Sequence, residues 1–308
     1  MRQYLILFLK GFGMGAANVI PGVSGGTIAL VTGIYEELIE SLKSFNLKAL
    51  NFLFKLDLKG FAKHIHLQFL IAVFTGIAIS IVSLAKIIEY FFSLNEQLVW
   101  SFFFGLIIAS IYYVGKMVNK WSFPSVLSLI LGILIASSLA FIKPVSENSA
   151  TYYLIICGIV AVSSMILPGL SGSYVLILMG NYQLIMLKSV SDPISNIQIL
   201  LPVIFGAVIG FLALSHGISF ILKKYYNFTI SLLTGFVIGS LLIIWPWKIA
   251  SETIPGRNGE LKVVSYDWLL PDILNIENIM CIFLILLGTF LVWAIEYLGL
   301  KLNSESSS

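Results

Sequence analysis

The feature that most constrains this chain is a helix-breaking stretch that occurs twice within apolar sequence. The first copy, residues 21–35, reads PGVSGGTIALVTGIY, and the second, residues 168–182, reads PGLSGSYVLILMGNY. The copies lie 147 positions apart and agree at six of fifteen positions. A bilayer tolerates a broken helix only where protein or a water-filled cavity covers the freed backbone groups. Paired interruptions in two halves of a chain are typical of the binding site of a membrane transporter.

The composition places the chain among polytopic membrane proteins. Hydrophobic residues make up 58% of it and charged residues 11%, which is far from the usage of soluble domains. A net charge of +3 gives no support to nucleic-acid binding. Cys157 and Cys281 fall in different apolar segments and are interpreted as small buried side chains rather than a disulfide or a metal site. The N-terminal apolar run is short and lacks a small-residue cleavage site, so we expect it to be retained.

The spacing of apolar segments predicts an all-α polytopic membrane protein with a single membrane domain, residues 1–308, made of two repeats. Each repeat contains a Pro/Gly-broken helical hairpin, which is re-entrant or crosses fully, and three transmembrane helices of about 20 residues. Repeat 1, residues 1–147, has a hairpin at about 4–35, a basic insertion at about 42–66, and spans at 67–86, 98–114 and 123–142. Repeat 2, residues 148–308, has a hairpin at about 152–187, spans at 199–222, 229–247 and 279–298, and an outer loop at about 248–278. At an offset of 130, Gly76 matches Gly206 and Gly105 matches Gly235.

The count of crossings predicts that the two repeats have inverted topology. A broken hairpin starts and finishes on one side of the membrane, and the three spans that follow reverse the side for the second repeat. With the N-terminus and the C-terminus in the cytoplasm, eleven of the eighteen Lys and Arg residues lie inside and six outside, as the positive-inside rule favours. The two broken stretches then enter from opposite sides and meet near the midplane.

Two connecting segments have their own patterns. Lys55, Lys59 and Lys63 recur every four residues, which suits either a basic helix on the anionic cytoplasmic leaflet or an ordinary cytoplasmic loop. The outer loop has tryptophans near its ends, at positions 245, 247 and 268, which favour anchoring at the headgroup level.

The chemistry of the broken stretches points to an anion. Ser24 and Ser171 are placed to cap new half-helices, whose first amides and positive dipole end attract negative charge without an arginine. Asn18 is placed to add an amide donor. Two such helix ends facing each other would hold one phosphate or carboxylate. The alternative is that the small residues only let helices pack closely.

Other polar residues are weaker candidates. Glu36 and Glu37 follow the first stretch, but Gln183 aligns with Glu36, so they are either a solvated hairpin end or groups that couple transport to a cation or proton. Lys86 and His216 align at the offset of 130 and either reach the membrane surface or guide an anion.

Lys10 lies within an apolar stretch, which makes it a functional-site hypothesis, with snorkelling as the alternative. Metal-ligand spacing, a catalytic Ser/His/Asp set and a Walker-type loop are all missing from the sequence, so we expect no enzyme, no metal and no cofactor. Energy for transport would come from an ion gradient, a substrate gradient or a partner.

Residues 15–30, GAANVIPGVSGGTIAL, followed by GIYE at 33–36, resemble the opening signature of the bacterial polyprenyl-phosphate transporters, long catalogued as a membrane domain of unknown function. The second signature of that family is similar to residues 167–173, LPGLSGS, with GNY at 180–182. The resemblance covers essentially the whole chain. It implies a plasma-membrane translocase that returns undecaprenyl phosphate from the outer to the inner leaflet for cell-wall synthesis. By position, it implies that the lipid phosphate is bound by Asn18, Pro21, Gly22, Ser24, Gly25, Gly26, Thr27, Pro168, Gly169, Ser171, Gly172 and Ser173.

A lipid phosphate needs a small anion site at mid-membrane, because a bare phosphate cannot be buried in hydrocarbon, and a lateral opening for its tail. Some of the twenty-two phenylalanines are expected to line that opening. The competing enzyme class is the membrane undecaprenyl-pyrophosphate phosphatases, whose Pro-Gly-x-Ser-Arg-Ser motif is similar. Here Gly25 and Gly172 replace the arginine, and the catalytic glutamates and histidine have no counterparts. A transporter of another anion or a small solute, and a membrane scaffold, are the remaining alternatives.

Overall fold

The computed structural model of the protein describes residues 2–19, 24–190, 192–255, 261–272 and 275–305. These residues are mostly helical, which confirms the predicted helical membrane protein. Within these ranges, five helical segments are long and apolar enough to cross a bilayer: Leu67–Leu84, Glu96–Lys116, Phe123–Phe141, Ile197–Lys224 and Ile276–Ala294.

The first half contains eight α-helices in its described residues. They are α1 (Arg2–Val19), α2 (Gly25–Val31), α3 (Tyr35–Lys43), α4 (Leu47–Phe54), α5 (Leu58–His64), α6 (Leu67–Leu94), α7 (Glu96–Lys116) and α8 (Phe123–Ser138), which continues as a 3₁₀ turn at Leu139–Phe141. The predicted hairpin corresponds to α1 and α2, and Gly33 then turns the chain into α3 with a φ of +71°. The basic insertion folds into the short helices α4 and α5.

The second half has a similar order of helices without the insertion, but it has a π-helical turn after its second helix and two strands before its last helix. It contains α9 (Thr151–Ile166), α10 (Gly172–Leu178), a π-helical turn (Gln183–Ser189), α11 (Ile197–Lys224), α12 (Tyr226–Ser240), strands β1 (Lys248–Pro255) and β2 (Leu261–Trp268), and α13 (Ile276–Glu305). The helix α12 is shorter than the predicted span at 229–247. After Ser240 the chain continues in hydrogen-bonded turns, and Pro246 has no N–H with which to extend a helix.

The outer loop contains an antiparallel pair of strands, which the sequence analysis did not predict. The indole N–H groups of its tryptophans form hydrogen bonds with other residues of the chain. The indole of Trp247 donates to Asn278 Oδ1 at 2.8 Å, and the indole of Trp268 donates to the Leu242 carbonyl at 2.9 Å. These bonds fasten the strands to the ends of α12 and α13.

Glycines let the helices of each half pack at backbone contact, and they do so at matched positions. An ideal Cβ on Gly11 would lie 2.1 Å from the Val73 carbonyl oxygen, and one on Gly158 would lie 2.1 Å from the Val203 oxygen. Gly11 and Gly158 are related by the offset of 147 residues between the two signatures. Val73 and Val203 are related by the offset of 130 residues between the spans that follow them. The contact of α1 with α6 therefore has a counterpart in the contact of α9 with α11.

The predicted match of Gly76 with Gly206 has the same structural meaning. An ideal Cβ on Gly76 would lie 2.2 Å from the Phe8 oxygen, and one on Gly206 would lie 2.0 Å from the Ile155 oxygen. For these glycines close helix packing is the role the structure supports. The largest buried cluster joins both halves, with Tyr35 and Ile39 of α3 packed together with Ile218 of α11 and Ile230 of α12.

Candidate functional site

The first broken stretch, which we call signature 1, starts α2. Ser24 has extended backbone angles and caps the helix, since its Oγ accepts a hydrogen bond from Gly26 N at 3.2 Å. Gly25 N donates to Asn18 Oδ1 at 2.8 Å, and Thr27 N donates to the Ser24 carbonyl at 3.0 Å. The predicted cap is therefore present, and each of these first-turn amides has a protein acceptor in this arrangement.

The second broken stretch, signature 2, starts α10 in a similar way. Ser171 caps the helix, with its Oγ 3.5 Å from Tyr174 N and 2.9 Å from Ser173 Oγ. Gly169 has a φ of +79°, and an ideal Cβ there would lie 2.5 Å from the Phe236 backbone of α12. Both the backbone angle and the close approach therefore require glycine at this position. Pro168 and Gly172 are buried beside these residues.

The two signatures touch each other directly, although they are about 140 residues apart in sequence. Ser24 Oγ donates to the Leu167 carbonyl at 3.1 Å, and Gly169 N donates to Thr27 Oγ1 at 2.8 Å. An ideal Cβ on Gly26 would lie 2.8 Å from the Ile166 oxygen, which leaves room only for glycine. Ser24 and Thr27 are almost completely buried. The predicted meeting of the signatures is thus present, and Pro21 and Gly22 lie outside the described residues.

A large apolar cavity of about 1280 Å³ adjoins signature 1. It lies between α1 and α6 on one side and α7 and α13 on the other, and Ile28 and Val31 of α2 form part of its wall. The lining includes four of the phenylalanines, Phe91, Phe102, Phe103 and Phe283. Phe283 is 61% exposed, so the cavity opens at the lateral surface of the helix bundle.

The cavity was not locatable from sequence. The phenylalanines were expected to line a tail groove, but their number alone could not select these four. Only the packing of α7 against α13 brings Phe102 and Phe283 to one cavity.

The weaker candidates lie elsewhere. Glu36 and Glu37 are exposed in the first turn of α3, and His216 is exposed on α11, where its Nδ1 lies 2.8 Å from the Leu212 carbonyl. Lys86 belongs to α6, but its side chain lies outside the described part of the structure.

A polar cluster that was not predicted from the sequence joins the two halves. Ser219 of α11 donates to Glu40 Oε1 of α3 and accepts from Lys43 Nζ at 2.9 Å, and Lys223 Nζ lies 3.0 Å from Glu40 Oε2. The spacing of Glu40 and Lys43 on one helix does not predict their contact with Ser219 on α11.

Two further observations concern metals and cysteines. Cys157 and Cys281 are both free and buried, as predicted. Within the described ranges, no group of three or more His, Cys, Asp or Glu side chains is placed to hold a metal ion.

The fold and this site define a polytopic membrane protein of the transporter class. Its apolar helices are broken at two signatures that meet beside an open cavity. This arrangement is typical of the binding site of a transporter and not of an enzyme active site.

The particular family follows from comparison with known proteins. Residues 14–262 match the sequence model of the family described as VCA0040-like, undecaprenyl phosphate translocase-like. The chain belongs to this family. It is 41% identical over 255 residues to the polyprenyl-phosphate transporter of Vibrio cholerae, which covers 83% of this chain and 81% of the relative. It is 33% identical over 265 residues to the polyprenyl-phosphate transporter of Staphylococcus aureus, covering 80% and 88%.

The family and both relatives are named as transporters and not as enzymes. This agrees with the predicted absence of phosphatase chemistry. No solved structure matches the chain with significance.

Proposed function

We propose that this protein moves undecaprenyl phosphate, or a closely related polyprenyl phosphate, from the outer to the inner leaflet of the bacterial plasma membrane, where it is reused in cell-envelope synthesis. The observation that carries the proposal is the position of α2. Its cap residue Ser24 bonds Leu167, directly before signature 2, and its Thr27 accepts from Gly169 of signature 2, while Ile28 and Val31 line the lateral cavity. One short helix therefore connects a polar junction with a space for an apolar tail.

The phosphate would bind at the junction of the two signatures, in contact with the residues predicted from sequence. In the present arrangement the Asn18 side chain accepts from Gly25 N, and Ser24 Oγ accepts from Gly26 N. Phosphate oxygens are stronger acceptors than these neutral groups, and the adjoining helix ends favour negative charge. We therefore expect the phosphate to replace Asn18 and Ser24 at these amides, while the tail stays in the cavity.

The register of helix contacts supports the inverted arrangement of the repeats. Gly132 of α8 packs near Gly235 of α12, and Gly239, four residues further on, packs against Ala136, so α8 and α12 run in the same direction. The short connections between α6, α7 and α8, and between α11 and α12, favour antiparallel neighbours. The helix α11 then runs opposite to α6, although both pack on the broken hairpin of their own half.

In the membrane, this arrangement would make signature 1 accessible to the lipid headgroup from one side and signature 2 accessible from the other side. With the N-terminus and the C-terminus in the cytoplasm, signature 1 would admit the headgroup from the inner side and signature 2 from the outer side. Separation of the Ser24–Leu167 and Thr27–Gly169 contacts on one side at a time would then move the phosphate without opening a continuous pore.

The source of energy is a separate part of the proposal, with protons and sodium as the two candidate coupling ions. The exposed Glu36 and Glu37 lie away from the junction, so direct coupling at the bound phosphate is not expected from them. A carrier of small hydrophilic solutes is less well supported, because the cavity is lined almost entirely by apolar side chains.

The proposal is tested with purified protein in liposomes that contain a fluorescent polyprenyl phosphate. Addition of a membrane-impermeant quencher reports how fast the lipid exchanges between leaflets, with and without proton and sodium gradients. We expect wild-type protein to accelerate the exchange of the phosphate. Liposomes in which the protein is folded but exchange is no faster than in empty vesicles would refute the proposal.

The role of the junction is tested in the same assay with the double substitution Ser24→Ala and Ser171→Ala. We expect transport to fall about tenfold or more, because buried amides and the phosphate lose their hydroxyl partners. Ser240→Ala is the matched control, since Ser240 is equally buried but only bonds the Val237 carbonyl within its own helix. A parallel loss of folded protein in the double variant would show that the two serines serve packing instead.

A further inference from the structure

The basic insertion folds into a small helical hairpin, residues 47–64, which we call the basic hairpin. Its two helices, α4 and α5, pack against each other. The ring centroids of Phe52 and His64 are 5.7 Å apart, and His64 Nε2 lies 3.2 Å from Asn46 Oδ1. The side chain of Asp57, in the turn between them, caps α5. The insertion is therefore an ordered element and not an extended loop.

The outer face of α4 is apolar. Ala49 is buried and Phe52 is half-buried, so these two residues mark the face that packs on the rest of the protein. Leu47, Leu50 and Phe54 follow one another at intervals of three and four residues and form the opposite face of the helix. Leu47 is 85% exposed and Phe54 is 79% exposed. A helix surrounded by water on this side would carry polar side chains there.

The turn of the hairpin adds two exposed leucines, Leu56 and Leu58. Leu56 has a left-handed backbone with a φ of +54°, a conformation that costs about 1–2 kcal/mol for a residue with a Cβ. In water, an exposed leucine makes no contact that would offset this cost. Burial of a leucine side chain in an apolar environment contributes about 1.5–3 kcal/mol, which is enough to offset it. The turn is therefore suited to an apolar surface that covers its side chains.

The hairpin also contains an excess of positive charge. Its four lysines and one aspartate give a formal charge of +3, which equals the net charge of all 308 residues. All four lysines, Lys48, Lys55, Lys59 and Lys63, are exposed. Within the part of the chain that the structure describes, none of them forms an ion pair, and the Asp57 carboxylate accepts from a backbone amide of α5. A surface with this charge is complementary to an anionic partner.

The hairpin lies at the end of the bundle where the first long span begins. Two residues, Ile65 and His66, separate α5 from α6, and the apolar span starts at Leu67. Tyr4 Oη donates to Gln68 Oε1, so the N-terminal end of α1 lies at the same level. The connection to a membrane span is therefore too short to carry the hairpin far from the lipid headgroups.

We propose that the basic hairpin is an interfacial element that binds the anionic phospholipids of the leaflet at this end of the bundle. The apolar face of α4 and the leucines of the turn lie below the headgroups, and the lysines bind the lipid phosphates. Lipid is the occupant because apolar and cationic side chains occur together on an element that is joined directly to a span. With the N-terminus in the cytoplasm, this leaflet is the inner one. The proposal does not depend on which lipid the protein transports.

The test uses purified full-length protein in nanodiscs of phosphatidylcholine, with and without phosphatidylglycerol. The rate of chymotrypsin cleavage after Phe54, followed by mass spectrometry, measures how accessible the apolar face is. We expect phosphatidylglycerol to slow this cleavage about tenfold or more, because each lysine near an anionic surface contributes about a factor of five in affinity. Added salt should reverse the protection, since it screens the attraction.

Substitutions separate the charge of the hairpin from its packing. Lys59→Gln with Lys63→Gln should remove most of the protection, whereas Lys59→Arg with Lys63→Arg keeps the charge and should retain it. Lys116→Gln with Lys120→Gln is the matched control, because these exposed lysines lie at the same end of the bundle but outside the hairpin, and its protection should equal that of wild type. All the substituted side chains are exposed, so we expect each variant to keep the wild-type melting temperature.

Equal cleavage of wild-type protein in the two kinds of nanodisc would overturn the proposal, because the apolar face would then not be covered by anionic lipid. Equal loss of protection in the control pair would assign the effect to the general positive charge at this end of the bundle and also overturn it. Neither result changes the outcome of the leaflet-exchange assay, so failure of this proposal is distinguishable from failure of the proposed function.

Discussion

At the scale of single residues, the contact between the two signatures depends on glycines, which have no side chain to keep the backbones apart. Gly26 lies against the carbonyl of Ile166, the last residue of α9 before signature 2, and Gly169 lies against the α12 backbone. At these two positions the absence of a Cβ allows two backbones to approach until Thr27 can accept from Gly169 N. The hydrogen bonds of the junction therefore depend on the absence of a Cβ atom at these two glycines.

The first prediction at this scale concerns Gly26→Ala. The added Cβ would lie 2.8 Å from the Ile166 oxygen, so the two signatures must separate, and we expect lower thermal stability and lower transport. Gly217→Ala is the control, because a Cβ there meets no atom within 4 Å, and alanine is the better helix former by about 1 kcal/mol. Equal melting temperatures for the two variants, measured in detergent, would contradict the tight junction.

At the scale of elements, the strands of the outer loop cover a cluster of aromatic side chains. Lys248, at the start of β1, lies over the ring of Trp100 at 4.4 Å and the ring of Tyr266 at 4.8 Å. Its Nζ donates to the Ile243 carbonyl. Burial lowers the pKa of Lys248 to about 8, although the nearby Glu96 carboxylate acts in the opposite direction.

The second prediction is a pH dependence that belongs to this cap. Between about pH 8 and pH 10 the folded protein releases the Lys248 proton while the unfolded chain keeps it, so the stability contributed by Lys248 rises with pH. Burial raises the pKa of Tyr266, which keeps its ionisation out of this range. Thermal unfolding from pH 7 to 10 should show a rise in wild type that is missing in Lys248→Met. Parallel curves for the two proteins would contradict this assignment.

At the scale of the whole molecule, the cluster around Ser219 fastens the two halves together. Ser219 is 1% exposed, whereas the side chains of Glu40 and Lys223 are 38% and 65% exposed. The ion pair is therefore largely screened by water, and the buried hydroxyl carries most of the stabilisation. Although partial burial opposes it, hydrogen bonds from Ser219 and Lys223 hold the pKa of Glu40 below its ordinary value.

The third prediction follows from this cluster. Glu40→Gln should destabilise the protein by about 1 kcal/mol at neutral pH, because the carboxylate loses charge-assisted bonds. Since the folded pKa is lowered, the difference from wild type should shrink as the pH falls below the ordinary carboxyl range. Glu37→Gln, on the exposed face of the same helix, is the control and should leave the melting temperature unchanged. A larger effect of Glu37→Gln would place the contact between the halves elsewhere.

The sequence by itself determined the membrane class, the helical architecture and the two signatures, since these depend on local properties. Runs of apolar residues are long enough to span a bilayer, and Pro-Gly breaks a helix wherever it stands. The caps at Ser24 and Ser171 also follow from neighbouring residues alone.

Only the tertiary structure decided how those parts are joined. The bond from Ser24 to Leu167 spans 143 positions, the cavity requires α7 to pack against α13, and the hydrogen bond from Lys10 Nζ to the Thr32 carbonyl requires the chain to return at Thr32. No local pattern encodes such contacts, because they depend on which helices meet and at what depth. For the same reason the first amides of α2, which the sequence offered as free donors, are paired with Asn18 and Ser24 in the structure.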